Sequence, residues 1–153
     1  MTTVPDKIEK QIQLNAPRSR VWKAITNAQE FGIWFEVKLE GQFEAGRPIE
    51  GTITYKNEPL TFKMTVARIE PEHLFSFHWI PFGIEKEVDY SNEKPTLVEF
   101  MLEEINGGTL LKVVESGFDH VPLARRARAF EMNSMGWGIQ VTRIENYLAN
   151  AGK

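Results

Sequence analysis

The sequence predicts an α+β fold in which a curved antiparallel β-sheet wraps around a long C-terminal α-helix, with two short helices after the first strand. The helix shows as a stripe: from about Leu123 to Ala149, the apolar residues Leu123, Ala127, Phe130, Trp137, Val141, Ile144 and Leu148 share one helical face. The sheet shows as short alternating runs between Ile33 and Phe118, separated by turn signals. Helical signals ahead of those runs are confined to two short segments, so the layers are helices against an antiparallel sheet.

Taken in order, Ile8, Lys10, Ile12 and Leu14 alternate with Glu9, Gln11 and Gln13 as an opening strand, which Asn15-Ala16-Pro17 stops. Proline suits the first turn of a helix, and Val21, Trp22, Ala24 and Ile25 make residues 17–26 a short amphipathic one. Asn27 is placed to cap a second short helix, which Gly32 is expected to loosen before the cluster Ile33-Trp34-Phe35. Turn signals then fall at Glu44-Ala45-Gly46, Lys56-Asn57-Glu58-Pro59, Glu70-Pro71-Glu72, Ser91-Asn92-Glu93-Lys94-Pro95 and Asn106-Gly107-Gly108. Parity turns Ile49, Gly51, Ile53 and Tyr55 inward, and likewise Phe62, Met64 and Val66; Phe75, Phe77 and Trp79; and Val98, Phe100 and Leu102. In the last strand both parities are apolar, and Lys112 decides for Leu111, Val113 and Glu115 facing in.

At 153 residues, 42% apolar and 25% charged, the chain suits one globular domain, residues 1–153, with a full core. It has no cysteine, which excludes disulfides, thiolate metal sites and cysteine nucleophiles, and a cytoplasmic location is expected. Residues 1–7 carry no apolar core of a signal peptide, and no run approaches the length of a membrane span. A formal net charge of −3 offers no electrostatic footprint for nucleic acid. Composition points instead to four Trp and ten Phe, rigid apolar surfaces that fill a core or line a pocket.

A family resemblance rests on Asn15-Ala16-Pro17 with Val21-Trp22-Lys23-Ala24-Ile25, on Trp34, and on Gly41-Gln42-Phe43-Glu44-Ala45-Gly46. It continues through residues 70–79 and 109–118 to Gly136-Trp137 in the final helix. Over nearly its whole length the chain resembles the START-like (SRPBCC, birch-pollen-allergen-like) superfamily, in the branch like the C-terminal domain of the activator of heat-shock-protein-90 ATPase. The resemblance implies a helix-grip fold. It also implies two alternatives to simple ligand binding: a protein-interaction module that modulates a chaperone ATPase, and a cyclase or hydratase using a cavity carboxylate.

The buried face of the long helix also carries Arg126, Asn133, Ser134 and Gln140, polar groups that a solid apolar core would not leave unpartnered. The helix is therefore expected to cover a hollow that binds a small hydrophobic or amphipathic molecule, with no cofactor. Its walls would be Trp34, Tyr55, Met64, Phe77, Trp79, Phe100, Phe130 and Trp137, with Glu115, Asn133 and Gln140 orienting the ligand. In such a hollow, water or ligand would satisfy Asn133 and Gln140.

His73, His78 and His120 lie on unlike elements without the spacing of a metal site, and no phosphate-binding loop or nucleophile elbow occurs. No catalytic residue is assigned. Glu115 is the one candidate for a chemically active group, a carboxylate in an apolar wall beside Val113 and Phe100; the alternative pairs it with Arg126 or water. Asp119-His120 reads as a loop before the helix. Arg125, Arg126 and Arg128 open that helix, where its dipole disfavours cations, which invites an acidic neighbour or an anionic ligand unless the turn is simply solvated. Met132, Met135 and Ile139 lie opposite the Trp137 stripe, as a homodimer face or as a surface covered by the N-terminal loop or the short helices. Gly136 and Gly138 each cost roughly 1 kcal/mol against alanine in a helix interior, for which close approach of a backbone or a ligand would compensate.

Overall fold

The computed structural model describes residues 5–82 and 89–151. Its elements are β1 (Lys7–Leu14), α1 (Arg18–Thr26), α2 (Ala28–Phe35), β2 (Val37–Glu40), β3 (Pro48–Tyr55), β4 (Glu58–Glu70), β5 (Leu74–Trp79), β6 (Thr96–Ile105), β7 (Gly108–Ser116), a 3-10 turn (Phe118–His120) and α3 (Leu123–Ala151). The strands form one seven-stranded antiparallel sheet, ordered β1-β7-β6-β5-β4-β3-β2, curved around α3. The crossover through α1 and α2 carries the chain from one edge, β1, to the other, β2. Among the described residues no helix is long and apolar enough to cross a membrane.

The expected parity holds. Phe62, Met64, Val66, Phe75, Phe77, Val98, Phe100, Leu102, Leu111, Val113 and Glu115 are all buried, as are Trp137, Val141 and Ile144 of α3. Ser76 is buried as well, on the opposite parity. A bulge between Val66 and Arg68 explains it: the register shifts there, and the Ser76 hydroxyl accepts the Arg68 amide at 3.2 Å.

Asn27 caps α2 as expected, its side chain accepting the Glu30 amide at 3.0 Å. Pro17 stands one step ahead of α1, as N-cap, and its carbonyl accepts the amides of Arg20 and Val21. Gly32 does not loosen the second helix, which runs unbroken to Phe35. A Cβ at Gly32 would lie 2.5 Å from the Val37 carbonyl oxygen, so the glycine serves the close return of the chain into β2.

The stripe on α3 needs one correction. Trp137, Val141 and Ile144 are buried, but Leu123 is 80% exposed and Ala127 is exposed, while Ala129 is fully buried. Phe118 and Val121, just ahead of the helix, are buried in the core instead.

Candidate functional site

The sheet and α3 meet around one buried carboxylate. Glu115 sits on β7 opposite Val98 of β6 and Ile8 of β1, side chain inward and wholly inaccessible. Its Oε2 accepts the Trp79 indole N–H at 2.8 Å and the Thr96 hydroxyl at 2.5 Å. Its Oε1 accepts the Trp137 indole N–H at 2.8 Å, and the Asn133 amide nitrogen lies 2.9 and 3.1 Å from the two oxygens. Burying a carboxylate is costly, and here charge-assisted bonds from four neutral donors offset that cost by filling its acceptor sites.

Each donor is placed by a simple local rule. Trp79 and Thr96 are cross-strand partners at the end of the β5–β6 pair where the chain passes from one strand to the other. Asn133 and Trp137 are four residues apart, one above the other on α3. The two indoles stack, centroids 5.6 Å apart and planes inclined by 28°. Arg126 is not a partner of Glu115. Its guanidinium donates to the carbonyls of Val121 and Asp119, tying the 3-10 turn to the helix.

Beside this cluster lies a cleft of about 540 Å³, walled by Phe35, Ile53, Phe62, Met64, Trp79, Ile80, Phe82, Tyr90, Pro95 and Asn133, with Thr61, Lys63, Thr65, His78, Ser91 and Glu93 toward its rim. It adjoins a smaller hollow of about 140 Å³ lined by Phe35, Trp79, Met132, Asn133, Gly136, Trp137 and Gln140. Phe35, Trp79 and Asn133 belong to both, so the two spaces share these three walls.

Of the expected wall, Met64, Trp79, Asn133, Trp137 and Gln140 line these spaces. Glu115 stands behind Trp79, Trp137 and Asn133 rather than at the surface of either. Trp34 is buried, donating its indole N–H to the Ala24 carbonyl at 2.9 Å, and Phe77 and Phe100 are fully buried among other rings. Phe130 packs edge-on against Phe118 at 5.1 Å, and Tyr55 is half-buried near Phe82. Asn133 has a protein partner, contrary to the expectation that water or ligand would satisfy it, because its amide is the donor that spans both oxygens of Glu115. Gln140 differs from Asn133: its buried Oε1 has no hydrogen-bond partner among the described residues. Gly136 and Gly138 are not sites of close packing, since a Cβ on either would meet nothing within 4 Å.

Thr96, Phe35 and Phe62 are among the contributors not named as site residues from the sequence. Thr96 carried a signal, since the inward set Val98, Phe100 and Leu102 extends back to it by parity.

Arg125 has the acidic neighbour its place at the helix start invites. Its guanidinium clasps both carboxylate oxygens of Glu93, donates to the Pro81 carbonyl at 2.7 Å, and lies 4.9 Å from the Tyr90 ring centroid. Arg128 lies over Phe82 at 5.3 Å. Both arginines thus hold segments that border the larger cleft. At the other end of α3, the Tyr147 hydroxyl donates to Glu30 at 2.7 Å, and Arg20 pairs with the same carboxylate at 2.8 Å. Burial, then the bond to Glu30, holds the Tyr147 hydroxyl above its ordinary pKa. Among the described residues no group of three or more His, Asp or Glu side chains is arranged to hold a metal ion.

The family described as "Activator of Hsp90 ATPase homolog 1-like protein" matches residues 15–149. No curated protein matches. Among solved structures, protein MLL2253 from Mesorhizobium loti is 23% identical with a TM-score of 0.72, covering 94% of this chain and 96% of that one. A protein from Arthrobacter aurescens is 15% identical with a TM-score of 0.77, covering 94% of this chain and 86% of that one. DynU16, a putative protein in the dynemicin biosynthetic locus, is 22% identical with a TM-score of 0.72 over 97% of this chain, which spans about half (49%) of DynU16. At such identities these likenesses establish the shared fold.

Proposed function

The chain belongs to the Activator of Hsp90 ATPase homolog 1-like family, and from that premise we propose that it binds a small hydrophobic or amphipathic molecule between the sheet and α3. The observation that carries this reading is the aromatic-walled cleft of about 540 Å³, within the size range of small-molecule sites, which shares Phe35, Trp79 and Asn133 with a second hollow beside α3. Trp34, Tyr55, Phe77, Phe100 and Phe130 then support the wall from behind, while Met64, Trp79, Asn133, Trp137 and Gln140 meet the ligand. Glu115 acts as the post that fixes both tryptophans and Asn133. A panel of planar aromatics and fatty acids tests the reading: a ligand should saturate, quench Trp79 and Trp137 fluorescence, and raise the melting temperature by mass action. A panel without any saturating member rejects it.

The family's description favours a second reading, modulation of a chaperone ATPase, and supports it more directly than it supports a small-molecule role. Stimulation of an Hsp90 ATPase by the purified protein, undiminished when the cleft is blocked by a bound ligand, would make this the primary function. A cyclase or hydratase using Glu115 draws no support from the geometry, because its acceptor sites are engaged and it borders neither space. For a homodimer, the supporting observation is that Met135 and Ile139 are 56% and 53% exposed, while Met132 turns toward the hollow. Light scattering that finds a monomer at high concentration removes that partner.

A further inference from the structure

The hollow beside Gln140 has an unusual hydrogen-bonding balance. Three of its lining residues spend N–H donors on Glu115 behind the wall, the indoles of Trp79 and Trp137 and the amide nitrogen of Asn133, which leaves the side-chain amide of Gln140 as the remaining polar side chain of the lining. With its nitrogen committed, Asn133 is left with its carbonyl end. Gln140 adds a buried oxygen that has no partner among the described residues. The remaining surface is aromatic or thioether, with Phe35, Trp79 and Trp137 centroids 5.6 to 6.4 Å from one another.

Charge points the same way. Glu115 is buried with neutral hydrogen-bond partners, and among the described residues no salt bridge joins it to a cation. Arg125 is clasped by Glu93, Arg143 pairs with Glu36 at 2.6 Å, and Lys63 is exposed where it borders the larger cleft. A carboxyl group accepting four hydrogen bonds behind a wall of aromatic rings favours a positive guest in the hollow over a negative one. Gly136 borders the hollow and meets no neighbouring atom where a Cβ would stand, so its missing side chain leaves that space open.

We propose that this hollow seats a cationic, hydrogen-bond-donating head group, an ammonium or small alkylated amine, of a ligand whose apolar body fills the larger cleft. The proposal rests on the small-molecule reading above and adds the sign and chemistry of the head group. About 140 Å³ holds roughly four or five waters at about 30 Å³ each, enough for such a group and too little for a second ring system alongside it.

Three probes with one body test it by titration calorimetry and tryptophan fluorescence at pH 7: 4-phenylbutylamine, 4-phenylbutan-1-ol and 4-phenylbutyrate. The amine should bind about tenfold or more tightly than the alcohol, with the carboxylate weakest. Gly136→Ala puts a methyl group on the wall of the hollow without a clash and removes a helix-interior glycine. It should keep or raise the melting temperature while reducing the amine's advantage, and Gln140→Leu should also reduce it several-fold in a folded protein. Equal binding of all three probes, tighter binding of the carboxylate, or an amine preference indifferent to both substitutions overturns the head-group assignment while leaving the cleft reading standing. Binding of none of the three overturns the assignment and counts against the cleft itself.

Discussion

Trp79 and Trp137 stack at 5.6 Å, and each gives its indole N–H to a different oxygen of the same buried carboxylate. One tryptophan comes from the sheet and the other from α3, so Glu115 is the polar bond between the two layers at the wall of the cleft. An indole nitrogen donates and never accepts, which makes this arrangement intolerant of any replacement that carries a donor.

Glu115→Gln is therefore expected to be destabilising, although it preserves shape. Either orientation of the new amide sets its NH2 against one of the two indole N–H groups, since Trp79 reaches one oxygen and Trp137 the other. With the charge-assisted bonds also lost, the cost should be at least about 2 kcal/mol in denaturant melts. A loss below about 1 kcal/mol would show that the cluster does not hold the layers together.

Asn133 and Gln140 share a helix face and a hollow but should respond oppositely to leucine. Asn133→Leu strips a donor from Glu115 and should cost about 1 to 3 kcal/mol. Gln140→Leu removes an oxygen that has no partner among the described residues, and stability should hold within about 0.5 kcal/mol or rise. Equal losses from the two would make this face an ordinary core.

Much of this site was legible because it depends on short-range periodicity. Alternation with Lys112 as the tie-breaker put Glu115 inside, and four-residue spacing put Asn133 and Trp137 on one face. What escaped is what depends on register between distant segments. Thr96 meets Glu115 because β6 and β7 pair Val98 with Glu115, two residues along from Thr96, a register set between the strands and invisible in either strand alone. Leu123 failed for a related reason: its periodicity is right, yet Phe118 and Val121, just ahead of the helix, are buried in the core instead. At Gly32 a local propensity was overridden by the tertiary approach of the Val37 carbonyl.

Tyr147 gives a pH-dependent prediction at the far end of α3. Its hydroxyl is held above its ordinary value of 10.0, so the folded state keeps a proton that the unfolded chain releases near that pH. The stabilisation is fully present below pH 10 and is lost as pH rises through the folded value. Tyr147→Phe should cost about 1 kcal/mol at neutral pH through the lost bond to Glu30, and its deficit relative to the unaltered protein should shrink above pH 10. A deficit that stays constant across that range would assign the effect to packing alone.

Arg125 joins the start of α3 to both described margins of the connection between β5 and β6, contacting Pro81 on one side and Tyr90 and Glu93 on the other. Side-chain exposures of 19% for Arg125 and 12% for Glu93 mean that a single substitution leaves its partner charged and largely desolvated. Arg125→Gln and Glu93→Gln should each cost about 1 to 3 kcal/mol, and the double variant should cost clearly less than their sum, because the second change removes the charge that the first had stranded. Pro81 flanks Ile80 and Phe82, and Tyr90 and Glu93 also border the larger cleft, so both single variants should speed release of any bound fluorescent ligand in stopped-flow measurements. Additive stability losses with unchanged release rates would reduce the pair to a surface contact and separate the clasp from the site it borders.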